Sequence, residues 1–166
     1  VGGARAHPLA LQLTPQFFNE GGFGAISLTG IGWPGAEDGS FLPAVLVAAG
    51  TVIEPVVSGW LAVPYGGGGV EAALGLRPYE RPEGLRSTAS LTFQGLGARD
   101  TFGNRLVTRG DVVVGAGAKI RTDSLGAVAL RGETVSVAGE VYAPGGAITV
   151  TGSNQFPSIP LGAPLP

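Results

Sequence analysis

The sequence predicts an all-β chain, and its internal repeats predict a parallel β-helix interrupted by an irregular, loop-rich excursion. Three observations carry this reading. The chain holds 30 Gly and 13 Pro among 166 residues, which disfavours long helices and supplies many turns. Hydrophobic residues make up 44% and the formal net charge is −2, so the chain has apolar content for a core and lacks the charge excess of disordered segments. Short segments with alternating apolar residues also recur at a spacing of about 20 residues, the range of solenoid repeats. The length suits one domain with a core of its own.

Residues 1–16 read as an N-terminal extension, apolar and interrupted by Pro8 and Pro15. The β-helix segment is expected over 17–152. Its first pattern is Gly-Ala-aliphatic-x-aliphatic-x-Gly, seen as GAISLTG (Gly24–Gly30), GAVALRG (Gly126–Gly132) and GAITVTG (Gly146–Gly152). Apolar residues alternate within each copy, which is the period of a strand with one inward face. The second pattern is VLVAAGTVI (Val45–Ile53), VVVGAGAKI (Val112–Ile120) and the shorter VSVAGEV (Val135–Val141). In the C-terminal half the two patterns alternate without a break. Val128 and Ile148 are 20 residues apart, Ile120 and Val141 are 21 apart, and Gly110 and Gly132 are 22 apart. Short strands separated by Gly at that period describe successive coils of a β-helix. Val128, Leu130, Val135, Val137, Ile148 and Val150 are then expected to point into one core. A β-sandwich also shows short strands and frequent turns, but it does not require the same heptapeptide three times.

Between the repeats, residues 31–44 read as a loop. Residues from about 54 to 85 hold four Pro and the run Gly66–Gly69, and read as an excursion, with Ser87–Phe93 returning as a strand. The tail 153–166 has four Pro and no charged residue, so it reads as extended or linker-like. No capping element is legible at either end, so the stack is expected to continue into flanking coils of the same polypeptide or into identical neighbouring chains.

Charge and composition restrict the chemistry. Ten basic against twelve acidic residues leave no electrostatic footprint for nucleic acid. No apolar run is long enough to span a membrane as a helix. Cys is absent, which excludes disulfides and thiolate metal sites. His7 is the only His, so zinc has too few ligands. A Ser-His-Asp triad would have to use His7, and no G-x-S-x-G elbow accompanies it. Gly66–Glu71 partly matches a calcium-binding nonapeptide, but one copy cannot build that stacked site. No cofactor is expected. No signal-peptide pattern opens the chain and no Met occurs, so the chain is expected to be a processed piece or an excerpt of something longer.

GDVVVGAGAKIRTDSLGAVALRG, followed by VSVAGEVYAPGGAITVTG, resembles the passenger repeats of filamentous-haemagglutinin-type exoproteins. FNEGGFGAISLTG and VLVAAGTVIEP are similar to a more irregular portion of the same family. The resemblance covers about 17–57 and 87–152. It implies a right-handed β-helix, export through an outer-membrane secretion pore, and an extracellular or outer-membrane surface location. The family's Asn-Pro-Asn secretion motifs have no counterpart, because Asn19, Asn104 and Asn154 each lack a following Pro. A passenger segment is therefore expected.

Two candidate binding sites follow. Arg109-Gly110-Asp111 spells a tripeptide associated with integrin binding, although the same corner recurs as Arg131-Gly132-Glu133, where a polar residue and Gly simply suit the turn. Trp60, Tyr65, Arg77, Tyr79 and Arg81, on the excursion, offer rings and guanidinium groups that stack on host or cell-surface glycans; the alternative is that the rings cover the flank of the coil. Asp111 and Glu133 are candidates for a paired-carboxylate site at glycosidase spacing, unless Asp111 faces Thr134 instead. Lys119 and Glu140 are expected to form a surface pair between neighbouring coils. The function expected is a structural or adhesive rod segment without catalysis. The alternatives are a polysaccharide-degrading enzyme on a β-helix and a filament-forming extracellular subunit.

Overall fold

A computed structural model describes residues 10–34, 41–65, 73–99 and 106–153. His7, Gly66–Glu71, the start of the N-terminal extension and the Pro-rich tail after Ser153 lie outside the described residues. The chain is mostly β, with its larger sheets parallel.

The helix α1 (Pro15–Asn19) comes first. Pro15 opens it with the φ a helix needs and no N–H to leave unpaired. Along the chain follow β1 (Ala25–Ile31), the short antiparallel pair β2 (Trp33–Pro34) and β3 (Phe41–Leu42), then β4 (Val45–Val47) and β5 (Val52–Ile53). An antiparallel hairpin, β6 (Gly59–Tyr65) and β7 (Ala73–Tyr79), occupies the segment read as an excursion. Next come β8 (Ser90–Leu96), the antiparallel pair β9 (Ala98–Arg99) and β10 (Leu106–Thr108), β11 (Val112–Val114) and β12 (Lys119–Arg121). The chain then runs through β13 (Ala127–Gly132), β14 (Val135–Val137), β15 (Glu140–Tyr142) and β16 (Ala147–Gly152).

Three parallel sheets organise the fold. Sheet 1 has the order β1-β8-β13-β16, sheet 2 is β4-β11-β14, and sheet 3 is β5-β12-β15. The second-pattern copies lie side by side in sheet 2, and the two C-terminal first-pattern copies do so in sheet 1, where β8 separates them from the copy on β1. Ile26 pairs with Leu91, Leu91 with Val128, and Val128 with Ile148. Val45, Val112 and Val135 align in sheet 2, and Ile53, Ile120 and Val141 align in sheet 3. The returning strand β8 begins three residues later than the sequence pattern placed it and joins sheet 1 although it lacks the Gly-Ala opening.

The core is built from the inward residues of these sheets. Leu91, Phe93, Val112, Val114, Ile120, Val128 and Leu130 are all essentially inaccessible. The expected inward set divides. Val128 and Leu130 are 1% and 0% exposed, Val135 is half-buried, and Val137, Ile148 and Val150 are 42%, 47% and 55% exposed. Burial alternates along β13 and is lost on β14 and β16, which are the last strands of their sheets. No described strand follows to cover them.

The opposite end differs from expectation as well. Phe18 of α1 enters the core and meets Phe93 with ring centroids 6.2 Å apart. The Asn19 side-chain amide donates to the Val52 carbonyl at 3.2 Å and accepts from the Glu54 N–H at 2.7 Å. Those groups lie on the outer edge of β5, so Asn19 substitutes for a neighbouring strand. The edge of β5 is therefore met by a side chain from a five-residue helix.

Two corners need particular residues. A Cβ on Gly132 would lie 2.6 Å from the Gly110 carbonyl oxygen, so only Gly fits this close approach. After β12, Leu125 adopts φ 69, and the corresponding corner after β15 uses Gly145 at φ 62. Leu125 is exposed and carries left-handed strain of roughly 1 kcal/mol. Leu125→Gly is expected to raise stability by about 0.5 kcal/mol in urea unfolding, net of the added chain entropy. The burial gradient gives a second expectation. Val128→Asp should lower stability by about 4 kcal/mol or prevent folding, whereas Val137→Asp should cost less than about 1 kcal/mol; thermal and urea melts of both variants measure the difference.

Candidate functional site

One recess lies where the hairpin segment returns to the sheets. Glu54 and Pro55 come from the chain leaving β5, Glu83 and Arg86 from the segment before β8, and Arg121, Thr122 and Asp123 from the end of β12 and its corner; together they line a cavity of about 150 Å³. A neighbouring recess of about 210 Å³ is lined by Lys119, Arg121, Glu140 and Tyr142.

The charged groups here are largely matched to one another. Arg86 makes a two-pronged contact with Asp123, through Nε to Oδ2 and through Nη2 to Oδ1 at 2.6 Å. Both side chains are mostly withdrawn from water, at 16% and 9% exposure. The hydrogen bonds to Asp123 hold the Arg86 guanidinium above its ordinary value, against an opposing desolvation effect. Its contribution to stability is complete below the ordinary arginine range, so it does not vary through neutral pH. Arg121 pairs with Glu83 at 3.5 Å and stands over the Tyr142 ring at 5.8 Å. Lys119 and Glu140 are strand partners in sheet 3 and approach to 3.7 Å, as the repeat spacing predicts. Both are well exposed, so this pair contributes little.

Arg86 and Glu83 both reach from the returning segment to sheet 3, so their ion pairs tie the hairpin's base to the parallel strands. Sequence reasoning missed the Arg86–Asp123 bond because its partners are 37 residues apart. A signal was nevertheless available: the corner after β12 reads Thr122-Asp123, where the corner after β15 reads Ala143-Pro144. A buried acid that replaces an apolar corner needs a cation. Thr122 Oγ1 is buried without a hydrogen-bond partner. Among the described residues, no group of three or more His, Asp or Glu is placed to hold a metal ion.

The sequence-derived candidates fall elsewhere. Arg109 bonds Asp111 at 3.1 Å and donates to Thr134 Oγ1 at 2.6 Å. Gly110 between them is buried. The two charges of Arg109-Gly110-Asp111 therefore face each other on a corner instead of projecting separately. The register sets Val112 against Val135, which puts Thr134, and not Glu133, beside Asp111. The paired-carboxylate arrangement is replaced by this second alternative.

The hairpin residues divide between two faces. Trp60 pairs with Pro78, Leu61 with Arg77, and Gly59 with Tyr79. Directly opposed residues share a face and successive ones alternate. Trp60 therefore shares its face with Leu74, Leu76 and Pro78, while Arg77 and Tyr79 lie on the other. Trp60, Leu74 and Leu76 are 70%, 74% and 71% exposed. Tyr65 pairs with Ala73 at the far end of the hairpin. Arg81 follows the hairpin, and its carbonyl accepts a weak 3.5 Å bond from Arg86. Trp60 is thereby separated from Arg77 and Tyr79 by the thickness of the hairpin.

Arg86→Met leaves the Asp123 carboxylate buried and unpaired, and is expected to lower stability by about 3 kcal/mol. Adding Asp123→Leu should recover most of that loss, and a double-mutant cycle by urea unfolding checks it. The sequence matches no family model, and comparison with curated proteins and with solved structures gave no match.

Proposed function

We propose that this chain is a structural rod segment of a secreted bacterial surface exoprotein, folded as a right-handed parallel β-helix from which one hairpin projects. The observation that carries the proposal is the column of equivalent residues Ile26, Leu91, Val128 and Ile148, matched one to one across four parallel strands. The chain passes through sheets 1, 2 and 3 in the same order on each pass. Crossovers between parallel strands take the right hand almost without exception. A stack of this kind lengthens by addition of similar coils and transmits load along one axis. Four of the eight described carboxylates, Glu83, Asp111, Asp123 and Glu140, are each engaged by a cation, an arrangement compatible with a scaffold. The hairpin's apolar face is the feature best suited to presentation.

Two measurements test the reading. The chain has no Cys, so paired cysteines at Val113 and Ser136, strand neighbours that both point outward, should form an intramolecular disulfide under mild oxidation. Failure to cross-link would sink the stacked arrangement. Antibody against the chain should label intact, unpermeabilised producing cells; label confined to lysed cells would remove the surface role.

A further inference from the structure

The outward faces of the three parallel sheets differ in kind. Across sheet 2 the outward residues Leu46, Val113 and Ser136 align, and none is charged. Sheet 1 sets Ser27, Thr92, Ala129 and Thr149 in one row, and Arg131 is the one charge among its outward strand residues. Sheet 3 instead sets Lys119 beside Glu140 and Arg121 beside Tyr142, with Glu54 directly after β5. The other two sheets meet water with few charges or none, so solvation alone does not account for the charges gathered on sheet 3.

Both recesses lie along this face, and they adjoin, since Glu54 and Arg121 line each of them. Each is smaller than the roughly 300 Å³ at which compact ligand pockets begin. The furrow they form suits consecutive small units of a chain better than one bulky molecule. Its inner wall is closed, because Arg86 and Asp123 satisfy each other. Its outer part is not. Among the described residues, Glu54 has no cation partner and the Tyr142 hydroxyl has no hydrogen-bond partner. Arg121 reaches Glu83 through Nη2 at 3.5 Å, and Lys119 stands 3.7 Å from Glu140. Carboxylate acceptors and cationic donors thus lie side by side with bonding capacity to spare. The Tyr142 ring, 56% exposed, stands among them.

We propose that this furrow binds a neutral oligosaccharide, with one sugar against Tyr142 and Arg121 and the next in the recess beside Glu54. A hydroxyl both donates and accepts, so a polyhydroxylated chain uses neighbouring acids and bases together. Tyr142 adds an apolar ring body on which the less polar face of a sugar packs. Four acids and three bases line the two recesses, a balance that disfavours polyanions such as uronate chains. An extended peptide is disfavoured too, because the floor is the face of a sheet and not a free edge. The furrow is separate from the hairpin, and Trp60, Arg77 and Tyr79 do not line it.

The inference rests on the stacked arrangement and not on the surface role. Calorimetric titration of the full chain with cellotetraose, mannotetraose and N-acetylchitotetraose probes the furrow. At least one should bind with a Kd below about 1 mM, and tetragalacturonate should bind more weakly. Tyr142→Ala and Glu54→Gln should each weaken that binding about tenfold with unchanged urea melts, since both side chains are exposed. Arg77→Ala, on the hairpin, should leave it unchanged. Absence of binding by all three neutral tetrasaccharides overturns the proposal. Binding that survives both Tyr142→Ala and Glu54→Gln overturns it too, as does a preference for tetragalacturonate. If the Val113/Ser136 cross-link forms while no neutral tetrasaccharide binds, only this inference fails; if that cross-link does not form, the stacked arrangement falls and takes the inference with it.

Discussion

Everything in this chain depends on parallel strands being held in register at corners with no room for a side chain. Parallel pairing is slightly weaker per residue than antiparallel pairing, and a slip of one residue would turn every inward Val and Ile outward. The corners prevent such a slip. Gly30 lies beside Gly95 in sheet 1, and Gly132 sits against the Gly110 carbonyl. A glycine column can pack backbone to backbone only where glycines meet. The high glycine content is thus a positional requirement of the fold. The apolar columns of the three sheets supply the driving force, and the glycines make one alignment of them feasible.

Much of this was legible in the sequence, and the rest was hidden for definable reasons. The second pattern and the two C-terminal copies of the first mark real strand neighbours, because local spacing fixes which residues of adjacent copies meet; Lys119 and Glu140 are the plainest instance. Burial was less legible. Val137 has the same pattern as Val114, yet one is open and the other closed, since burial depends on a strand lying beyond. β8 escaped the repeat because Ser-Leu-Thr-Phe keeps the alternation and drops the Gly-Ala signature. The role of α1 was invisible, because Asn19 works through its side chain and five residues carry no periodicity. The Arg86–Asp123 bond needed knowledge of where the excursion returns, which composition does not contain.

The charged recess and the hairpin answer different needs. Arg86 and Glu83 hold the segment before β8 against sheet 3, which fixes where a long insertion rejoins the sheets. The hairpin beyond that anchor has its own pairing and places Trp60, Leu74 and Leu76 in water. Its two outer edges are each interrupted by a proline, Pro64 on β6 and Pro78 on β7, which lack the N–H that edge pairing requires. The hairpin is therefore better built to meet another surface with its face than to extend as a sheet.

The hairpin also affects the order in which the chain can assemble. Ile26 must wait for Leu91 across the whole excursion, whereas Val128 finds Ile148 after 20 residues. The first closure spans a loop roughly three times longer, and its entropy penalty is about 1 kcal/mol greater. Contacts of short sequence separation form sooner. The strands from β11 onward are thus the natural nucleus, and β1, β4 and β5 are added to an existing surface. Although the ribosome delivers β1 first, sequence separation favours pairing among the C-terminal strands before β1 joins them.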